Sequence, residues 1–376
     1  MPVVRELTVC DFRTYKRACL RLAEPGLHVL WGGNGEGKTS LLEALHVAAL
    51  LRSFRTGMIP DLVREGADSF EVAVTLGEVG ETDGQRLYVR MGKDKALRRN
   101  GREIRRASEF INGFVCIALV PEDVELIAGA PARRRQFMDM LLSQLDDRHM
   151  AHLSGYREAL RQRNALFRRQ GDPDRHAAAA FGAVMARHGV GILRARQVLC
   201  TQINEALSAR RADLLRTATS DLTVSVEYRT SSRVQPADAE TGEQELKAEI
   251  ERHWDRDVRQ GCTTTGPHRD DLAVSFNGRA VTKYGSQGER RLSGIVLKLA
   301  SLQLVNPVFQ GRKPILLLID DVLGDLDAGR RQAFLQSVSG ADQVLLVQTE
   351  PPDAGTLPCE PAAIHHVADG QVTSQL

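Results

Sequence analysis

Residues 32–40 carry the pattern in this sequence that most directly indicates chemistry. Their one-letter sequence, GGNGEGKTS, fits the phosphate-binding pattern G-x-x-x-x-G-K-[ST]. Glycines in such a loop let successive backbone N–H groups point at an anion, and the following helix adds partial positive charge at its N-terminus. The pattern predicts a nucleoside triphosphate site with the contacts Gly32, Asn34, Gly35, Gly37, Lys38, Thr39 and Ser40.

Lys38 and Thr39 have separate expected roles in this loop. Lys38 is expected to reach the β- and γ-phosphates, where its charge serves both binding and catalysis, and the Thr39 hydroxyl is expected to ligate Mg²⁺. The apolar run 27–31 indicates a strand before the loop, and residues 40–50 indicate a helix after it. A chance glycine-rich turn is the alternative, and this strand–loop–helix context disfavours it.

A second pair of residues points to the same chemistry. Residues 316–319 are apolar and are followed by Asp320 and Asp321, which is a Walker B pattern. Ligands of open α/β sheets lie at the carboxyl ends of buried parallel strands. Asp320 is therefore expected to hold Mg²⁺, directly or through water, and Asp321 to act as the general base on the attacking water. An N-cap and turn would be the plain alternative without the phosphate loop.

The segment Ser286-Gln287-Gly288-Glu289 precedes a predicted helix and resembles the core of the ABC ATPase signature. Ser286 and Gly288 would offer hydroxyl and N–H donors to an anion, whereas a plain N-cap followed by Glu is the alternative. The position of the segment, one helix before the Walker B pattern, favours the signature. The resemblance implies a head-to-tail homodimer with two ATP molecules at its interface. Residues 324–327, Gly-Asp-Leu-Asp, occupy the place of a D-loop.

The periodicity of the remaining chain predicts an α/β protein with an insertion. The pattern of apolar residues and turn residues predicts strands at 2–9, 17–22, 69–76, 86–91, 222–228, 272–276, 314–319 and 343–347, and a central strand at 114–120. Asn100-Gly101 and Asn277-Gly278 indicate tight turns. Helices are expected from 131 to 215 with a break at 170–173, from 243 to 259 and from 289 to 304. An ATPase lobe of residues 1–122 and 263–376 is thus split by a mostly helical lobe of residues 123–262.

Composition limits the class of protein. The formal net charge is +2, and six cysteines are scattered without a C-x-x-C pair, which argues against a zinc or disulfide framework and for a reducing cytosol. The first residues do not form a signal peptide. No apolar run approaches the ~20 residues that a membrane helix needs. We therefore expect a soluble cytoplasmic protein without a membrane role.

Several further stretches make the chain resemble the RecF family, bacterial DNA replication and repair ATPases related to the SMC heads. They are Phe12-Arg13-Thr14-Tyr15, residues 53–56 (SFRT), residues 121–131 with the following Arg134-Arg135 and residues 137–139, Tyr156, Arg161, Asn164 and Leu166, and residues 265–272 (TGPHRDDL). The blocks at 121 and 265 are not general ATPase features. The resemblance implies an ABC/SMC-type P-loop ATPase head that uses ATP and Mg²⁺. In related ATPases an arginine at the place of Arg13 reaches the nucleotide, although a plain surface arginine is the alternative.

The sequence also departs from the pattern of these ATPases. Residues 324–327 replace the Ser-Glu-Leu-Asp that the family often has, and Gln348 or Thr349 stands where a switch histidine is expected. Glu122 and Asp123 stand where a Q-loop glutamine is expected. These departures predict a weak ATPase, in which ATP acts mainly as a dimerisation switch.

Arginine clusters are the candidates for DNA contact. Solvated helix faces and intrachain ion pairs are the plain reading of such runs. The functional interpretation is a surface whose arginines contact successive phosphates of duplex DNA. Aromatic residues make up 5% of the chain, which argues against a stacking platform for single strands. The candidates are Arg98, Arg99, Arg102, Arg133, Arg134 and Arg135.

The resemblance implies a function in the response to DNA damage, including the SOS response. Such a protein dimerises on ATP, binds duplex DNA and single/double-strand junctions near gaps, and works with RecR and RecO to load recombinase. The ATP-binding subunit of an ABC transporter is an alternative, but the helical insertion is larger than a transporter's and rich in arginine. A small-molecule kinase is a further alternative that would need neither the Ser286 segment nor a dimer.

Overall fold

The computed structural model of the chain describes residues 1–80, 84–168, 172–209, 223–232, 234, 239–322, 334, 338, 340–352, 357 and 359–375. These residues divide into two compact units. Unit 1 contains residues 1–124, 206–223 and 287–376, and unit 2 contains residues 125–205 and 224–286.

The strands and helices have the following bounds, in chain order. The strands are β1 (Pro2–Phe12), β2 (Tyr15–Arg21), β3 (Gly26–Trp31), β4 (Ser69–Glu78), β5 (Gln85–Gly92), β6 (Ala96–Arg99), β7 (Arg102–Glu103), β8 (Val115–Leu119), β9 (Val224–Arg229), β10 (Asp271–Phe276), β11 (Arg279–Ala280), β12 (Ile315–Asp320), β13 (Gln343–Gln348), β14 (Ala363–Ala368) and β15 (Gln371–Gln375). The helices are α1 (Lys38–Leu50), α2 (Ala107–Ile111), α3 (Asp123–Ala128), α4 (Pro131–Leu145), α5 (Asp147–Phe167), α6 (Arg175–Ala209), α7 (Ala239–Arg252), α8 (Trp254–Gln260), α9 (Val281–Tyr284) and α10 (Gln287–Phe309).

The described strands of unit 1 form two six-stranded sheets. The first is antiparallel with the order β2-β1-β4-β5-β6-β7. The second has the order β15-β14-β3-β13-β12-β8, and its strands are parallel except for the terminal hairpin β14–β15. The predicted turns are confirmed, because Asn100, Gly101, Asn277 and Gly278 all have positive φ and join paired strands. The α/β fold class expected from the sequence is likewise confirmed.

Helix α1 forms the core between these two sheets. It contacts β1, β4 and β5 of the antiparallel sheet and β8, β12 and β13 of the parallel one. Its apolar residues extend around the whole helix rather than along one stripe, as expected for a helix covered on all sides. The N-terminus of α1, which follows the glycine loop, is thereby fixed against both sheets.

Gln343 joins the two sheets through its side chain. The fully buried amide at the start of β13 accepts the Val4 N–H at 2.7 Å and donates to the carbonyls of Val4, Leu22 and Glu24 at 2.9, 2.5 and 3.0 Å. A buried polar group is costly unless it is hydrogen-bonded, and here both ends of the amide are satisfied. The start of β13 is therefore held against β1 and the segment after β2.

The predicted strand at 114–120 exists as β8, but its predicted central position is wrong. Among the described strands, β8 lies at the end of the parallel sheet and pairs with β12 alone. All five of its residues are nevertheless buried, because α1 and α10 contact it. A continuous apolar run indicates burial, and an edge strand covered by helices satisfies that requirement as well as a central strand does.

The described part of unit 2 combines the helices α4 to α9 with a small antiparallel sheet of order β11-β10-β9. Its apolar core includes Leu153, Met185, Leu193, Leu246 and Ile250. A buried ion pair lies beside this core, in which Arg163 Nη1 donates to Asp257 Oδ2 at 2.6 Å and to the Thr263 hydroxyl at 2.7 Å. The other oxygen of Asp257 accepts the Thr264 N–H and hydroxyl at 2.9 and 2.7 Å.

The lobe boundaries differ from the prediction at their C-terminal side. Residues 263–286 group with unit 2 rather than with the ATPase lobe, because β10 pairs with β9 along six residues and Thr263 bonds to Arg163. Residues 206–209 and 223 group with unit 1. The predicted helix 243–259 is divided at His253 into α7 and α8.

Helix α10 is long and apolar enough to cross a membrane by length and composition alone, which the expectation from the sequence did not anticipate. Most of its apolar stretch is buried inside unit 1, and core helices of soluble proteins pass the same test. It is the one such helix among the residues that the structure describes.

We expect Arg163→Met to lower the free energy of unfolding by about 3–5 kcal/mol, because it leaves the Asp257 carboxylate buried without its cationic partner. Urea unfolding of the full chain measures this change. Arg161→Met is the matched control on the same helix, since Arg161 pairs with Glu158 at the exposed surface. Equal unfolding midpoints for the two variants would contradict the proposed importance of the buried pair.

Candidate nucleotide-binding site

The glycine loop between β3 and α1 adopts a conformation that requires glycine. Gly32, Gly35 and Gly37 have φ values of +155°, +85° and +99°. A Cβ on Gly37 would lie 2.7–2.8 Å from the ring and hydroxyl of Tyr15, and one on Gly32 would lie 2.1 Å from the Val367 carbonyl oxygen. Neither contact can be relieved by a small shift, because the first involves a buried ring and the second a backbone atom.

Lys38 is folded over this loop. Its Nζ donates to the carbonyl oxygens of Gly32 and Gly33, both at 2.7 Å. Burial lowers the pKa of the Lys38 ammonium, and the negative charges of Asp320, Glu36 and Asp321 oppose that shift. The ammonium is thus held at the loop by two neutral carbonyl groups, near carboxylates. A phosphate would form stronger, charge-assisted hydrogen bonds with the ammonium than these carbonyls do.

A cavity of about 710 Å³ opens over the loop. It brings together most of the predicted nucleotide residues with both Walker B carboxylates. Its lining from the phosphate loop and Walker B strand consists of Asn34, Gly35, Gly37, Lys38, Thr39, Ser40, Asp320 and Asp321. Gly32 lies at the base of the loop, where its carbonyl accepts from Lys38.

The two aspartates differ in environment. Asp320 ends β12 and is buried, and this burial raises the pKa of its carboxyl, against a hydrogen bond from Thr39 that lowers it. The neighbouring charges of Glu122 and Asp321 raise the pKa of Asp320 further. Asp321 is exposed and has φ +46°, a left-handed conformation that is rare for residues other than glycine and that clusters at functional sites.

The Thr39 hydroxyl and the Asp320 carboxylate form an oxygen donor pair suited to Mg²⁺. Magnesium is bound in nucleotide sites by one or two protein oxygens together with water and substrate phosphates. Both residues line the same cavity, and Thr39 lowers the pKa of the Asp320 carboxyl. Among the described residues no group of three or more His, Cys, Asp or Glu side chains is placed to hold a metal, and a site completed by phosphates does not require one.

Arg13 does not reach the cavity. Its Nε and Nη2 donate to the two oxygens of Glu43 at 2.8 and 2.6 Å, and its Nη1 donates to the Asp61 carbonyl at 2.8 Å. Glu43 is a fully buried residue of α1 and needs this cation. In this structure Arg13 thus forms an ion pair that anchors α1, and its predicted contact with nucleotide stays a prediction.

Arg55 is the arginine that lines the cavity, and the sequence reasoning did not select it. The Ser53 hydroxyl bonds to Glu43 and accepts the N–H groups of Arg55 and Thr56 at 2.9 and 3.0 Å. Residues 53–56 are thus tied to α1, and the Arg55 side chain lies 3.6 Å from Glu122. Residues 53–56 contribute to the family resemblance. Their residue types do not indicate that Arg55, rather than Arg13, lies at the nucleotide site.

Positions 122, 348 and 349, noted in the sequence as departures from the ABC pattern, also line the cavity. Glu122 follows the C-terminal end of β8, and Gln348 and Thr349 lie at the end of β13. Asp123 is set in place by Lys298 of α10, whose Nζ lies 3.1 Å from its Oδ1 and donates to the Ala118 carbonyl at 2.9 Å. The strand ends that the ABC pattern uses are therefore present with different side chains.

The signature-like segment leads into α10. Ser286, Gln287 and Gly288 are exposed, and apart from the neighbouring backbone no atom of the described residues lies within 4 Å of a Cβ built on Gly288. Gly288 is not among the residues lining the cavity. One turn further along α10, Arg291 donates to the carbonyls of Asp321 and Val322 at 3.1 and 3.2 Å, which links this helix to the Walker B turn. The predicted D-loop, 324–327, lies outside the described residues.

The six candidate DNA-binding arginines separate into two groups. Arg98, Arg102 and Arg133 are exposed. Arg99 donates to the carbonyls of Glu109 and Phe110, and Arg135 donates to the carbonyl of Asp270.

Arg134 is corrected outright, because it is buried and makes a bidentate ion pair with Asp271 at 2.7 and 3.0 Å. Its Nη1 also donates to the carbonyls of Ile127 and Gly129. The positive charge of Arg134 is therefore neutralised by Asp271 within unit 2.

Comparison with characterised proteins supplies relatives along nearly the whole chain. The DNA replication and repair protein RecF of Acidothermus cellulolyticus is 36% identical over 351 residues, covering 90% of this chain and 92% of the relative. The protein of the same description from Synechococcus sp. strain JA-3-3Ab is 33% identical over 374 residues, covering 98% and 97%. No family model matches the chain.

Comparison with solved structures gives similar proteins along the whole chain as well. The recombination mediator protein RecF-ATP in the RecFOR pathway superposes with a TM-score of 0.87 at 26% identity, covering 100% of this chain and 98% of that one. An SMC head bound to the C-terminal winged-helix domain of ScpA has a TM-score of 0.53 at 14% identity, which supports the shared ATPase-head fold alone. With relatives above 30% identity over nine-tenths of its length, the chain belongs to the RecF family of DNA replication and repair proteins.

Proposed function

We propose that the chain is a cytoplasmic, ATP-dependent DNA-binding protein of recombinational repair. It dimerises on ATP, binds duplex DNA near single-strand gaps, helps RecR and RecO to load recombinase, and is released by slow ATP hydrolysis. The observation that carries this proposal is the cavity in which Lys38, Thr39, Asp320 and Asp321 meet over a glycine loop. Membership of a family with a RecF–ATP structure supports ATP as the ligand.

The residues of the cavity have separate roles in nucleotide binding and hydrolysis. The loop N–H groups and Lys38 neutralise the phosphates, and Thr39 and Asp320 would hold Mg²⁺. When bound, Mg²⁺ supplies positive charge that neutralises the phosphate oxygens during phosphoryl transfer. Asp321, which is exposed at the cavity, would accept a proton from the attacking water.

The exposed segment 286–288 supports a role of the signature in trans. Backbone and hydroxyl donors at the start of α10 suit an anion, while the cavity of the same chain is lined without Gly288. A head-to-tail pair of chains would place each segment on the triphosphate of the other. The contact of Arg291 with the Walker B turn gives a physical link between the segment and the hydrolytic residues of its own chain.

Slow hydrolysis follows from the side chains at the cavity. Gln348 and Thr349 stand at the end of β13, where a histidine would sense the γ-phosphate and position water. Neither side chain carries the proton-accepting nitrogen of an imidazole. Asp321 would therefore act without that second group, and ATP would serve mainly as a switch for dimerisation.

For DNA, we propose that the exposed arginines Arg98, Arg102 and Arg133 contact backbone phosphates. Arg98 and Arg102 flank the Asn100-Gly101 turn, and the Arg98 guanidinium lies over the Tyr88 ring at 5.3 Å. Phosphate contacts of this kind position a protein on duplex without reading its sequence.

Lys38→Met is expected to abolish ATP binding and ATP-dependent dimerisation, because it removes the ammonium that neutralises the phosphates. Ser286→Arg is expected to leave ATP binding by the single chain intact but to block pairing. A mixture of the two variants should recover dimers with ATP, since one of the two composite sites then has an intact loop and an intact serine segment. Light scattering and nucleotide titration measure both quantities.

Lys16→Met, an exposed lysine of β2, is the matched control for nucleotide binding. If Ser286→Arg dimerised normally, or if the mixture stayed as single chains, the composite site would be refuted. Wild-type ATP affinity in Lys38→Met would refute the nucleotide site itself.

Asp321→Asn is expected to slow single-turnover ATP hydrolysis by about 10²-fold or more, because an amide cannot accept the proton. ATP affinity should persist and the dimer should last longer. Asparagine tolerates the left-handed backbone at this position, so the variant tests the carboxylate rather than the turn. Unchanged turnover would remove Asp321 from the role of base.

Replacing Arg98 and Arg102 by Gln is expected to weaken duplex binding and to reduce the slope of log K against log salt by about 1.8, which corresponds to two phosphate contacts at roughly 0.9 each. Fluorescence anisotropy at several salt concentrations measures the slope. Arg21→Gln, an exposed arginine of the same sheet, is the control. An unaltered slope would exclude this hairpin from the DNA surface.

A further inference from the structure

Helices α5 and α6 of unit 2 bring two histidines into direct contact. His152 of α5 and His188 of α6 have their Nδ1 atoms 3.4 Å apart, with ring centroids separated by 5.6 Å and planes inclined by 67°. Both side chains are half-buried. The proposed ATPase and DNA-binding functions use neither residue.

Glycines leave room for the two rings in this arrangement. A Cβ on Gly155 of α5 would lie 2.4 Å from Nε2 of His188, and one on Gly191 of α6 would lie 2.8 Å from Nε2 of His152. Each helix therefore carries a His-x-x-Gly segment, and each ring rests on the glycine of the opposite helix. A side chain at either glycine would displace the facing ring, so the glycines allow the close approach that places the two Nδ1 atoms 3.4 Å apart.

The surroundings favour uncharged rings. Burial lowers the pKa of both histidines, and His188 and His149 lower that of His152 further, while Arg187 does the same for His188. Asp146 and Glu243 act in the opposite direction on His152 and His188 respectively. Neutral imidazole is the form of histidine that binds metals.

The Nδ1 separation decides between two explanations of the contact. Hydrogen bonds from N–H donors are usually 2.7–3.2 Å long, so 3.4 Å is long for a bond between the rings. Two nitrogens bound at ~2.0–2.1 Å to a tetrahedral zinc ion lie roughly 3.3–3.4 Å apart. The observed separation matches the second case more closely than the first.

We propose that His152 and His188 form a two-histidine site for a tetrahedral transition-metal ion of the zinc class, bound through their Nδ1 atoms. The described residues contain no third His, Cys, Asp or Glu placed to complete such a group, so water supplies the remaining positions. The ion joins α5 to α6 and stabilises unit 2 by binding its folded state. This inference is independent of the proposed function.

The test uses the full chain, freed of metal by a chelator and titrated with Co²⁺ and then with Zn²⁺. We expect one equivalent of Co²⁺ to give the visible absorption of tetrahedral cobalt without a thiolate charge-transfer band, and Zn²⁺ to displace it. The melting temperature should rise with Zn²⁺. His152→Ala and His188→Ala should each weaken metal binding at least tenfold and remove the rise in melting temperature.

His176→Ala, which removes an exposed histidine of α6, should bind as the unaltered chain does. Gly155→Ala keeps both ligands but displaces the His188 ring, so it should also weaken binding, and the melting temperature of the metal-free variants shows whether they fold. Absence of tetrahedral absorption at millimolar Co²⁺ would overturn the proposal. So would binding that survives His152→Ala with His188→Ala, or a thiolate band that assigns the ion to cysteine.

Discussion

The electrostatic compensation of the Lys38 ammonium is the constraint on which the site depends. A largely buried cation is costly unless charges or dipoles compensate it, and here two loop carbonyls and the facing carboxylates do so. The carbonyls can converge on Nζ because the loop curls through glycines at positions where a Cβ would collide with Tyr15 or Val367. Glycine-rich loops that curl in this way can point successive N–H groups at an anion, so one backbone conformation suits both the lysine and a phosphate.

Elements distant in sequence hold this loop from several sides. Helix α1 is enclosed by both sheets, and its buried Glu43 is neutralised by Arg13. The C-terminal hairpin contributes the Val367 carbonyl beside Gly32, and the Asp369 N–H donates to Glu36 at 2.7 Å. The loop is therefore positioned by residues from both ends of the chain. An intact glycine pattern would not suffice without these supports, because the sheets fix the direction in which α1 starts.

Local patterns account for what the sequence predicted well. The phosphate loop, the Walker B strand and the Asn-Gly turns depend on neighbouring residues and were placed correctly. The position of β8 at the sheet edge, the pairing of β10 with β9 and the partner of Arg13 depend on contacts between distant residues, and periodicity contains no information about them. Arg55 was not predicted for the same reason. Its position at the cavity depends on the hydrogen bond of Ser53 with Glu43, which the sequence does not indicate.

The arginines of α4 show most clearly that residue type alone does not predict which group a charged side chain contacts. Arg133, Arg134 and Arg135 are consecutive on α4, and a helix turns by roughly 100° per residue, so they face three directions. Arg134 points inward to Asp271, Arg135 reaches the Asp270 carbonyl, and Arg133 is exposed. Asp271 and Asp270, which accept from Arg134 and Arg135, belong to the block at 265–272, and Arg134 also donates to the carbonyls of Ile127 and Gly129, so this block and the block at 121–131 are joined by hydrogen bonds. The three arginines thus divide between stabilising unit 2 and lying exposed at its surface, and the division follows from which carboxylates the fold brings to the same helix.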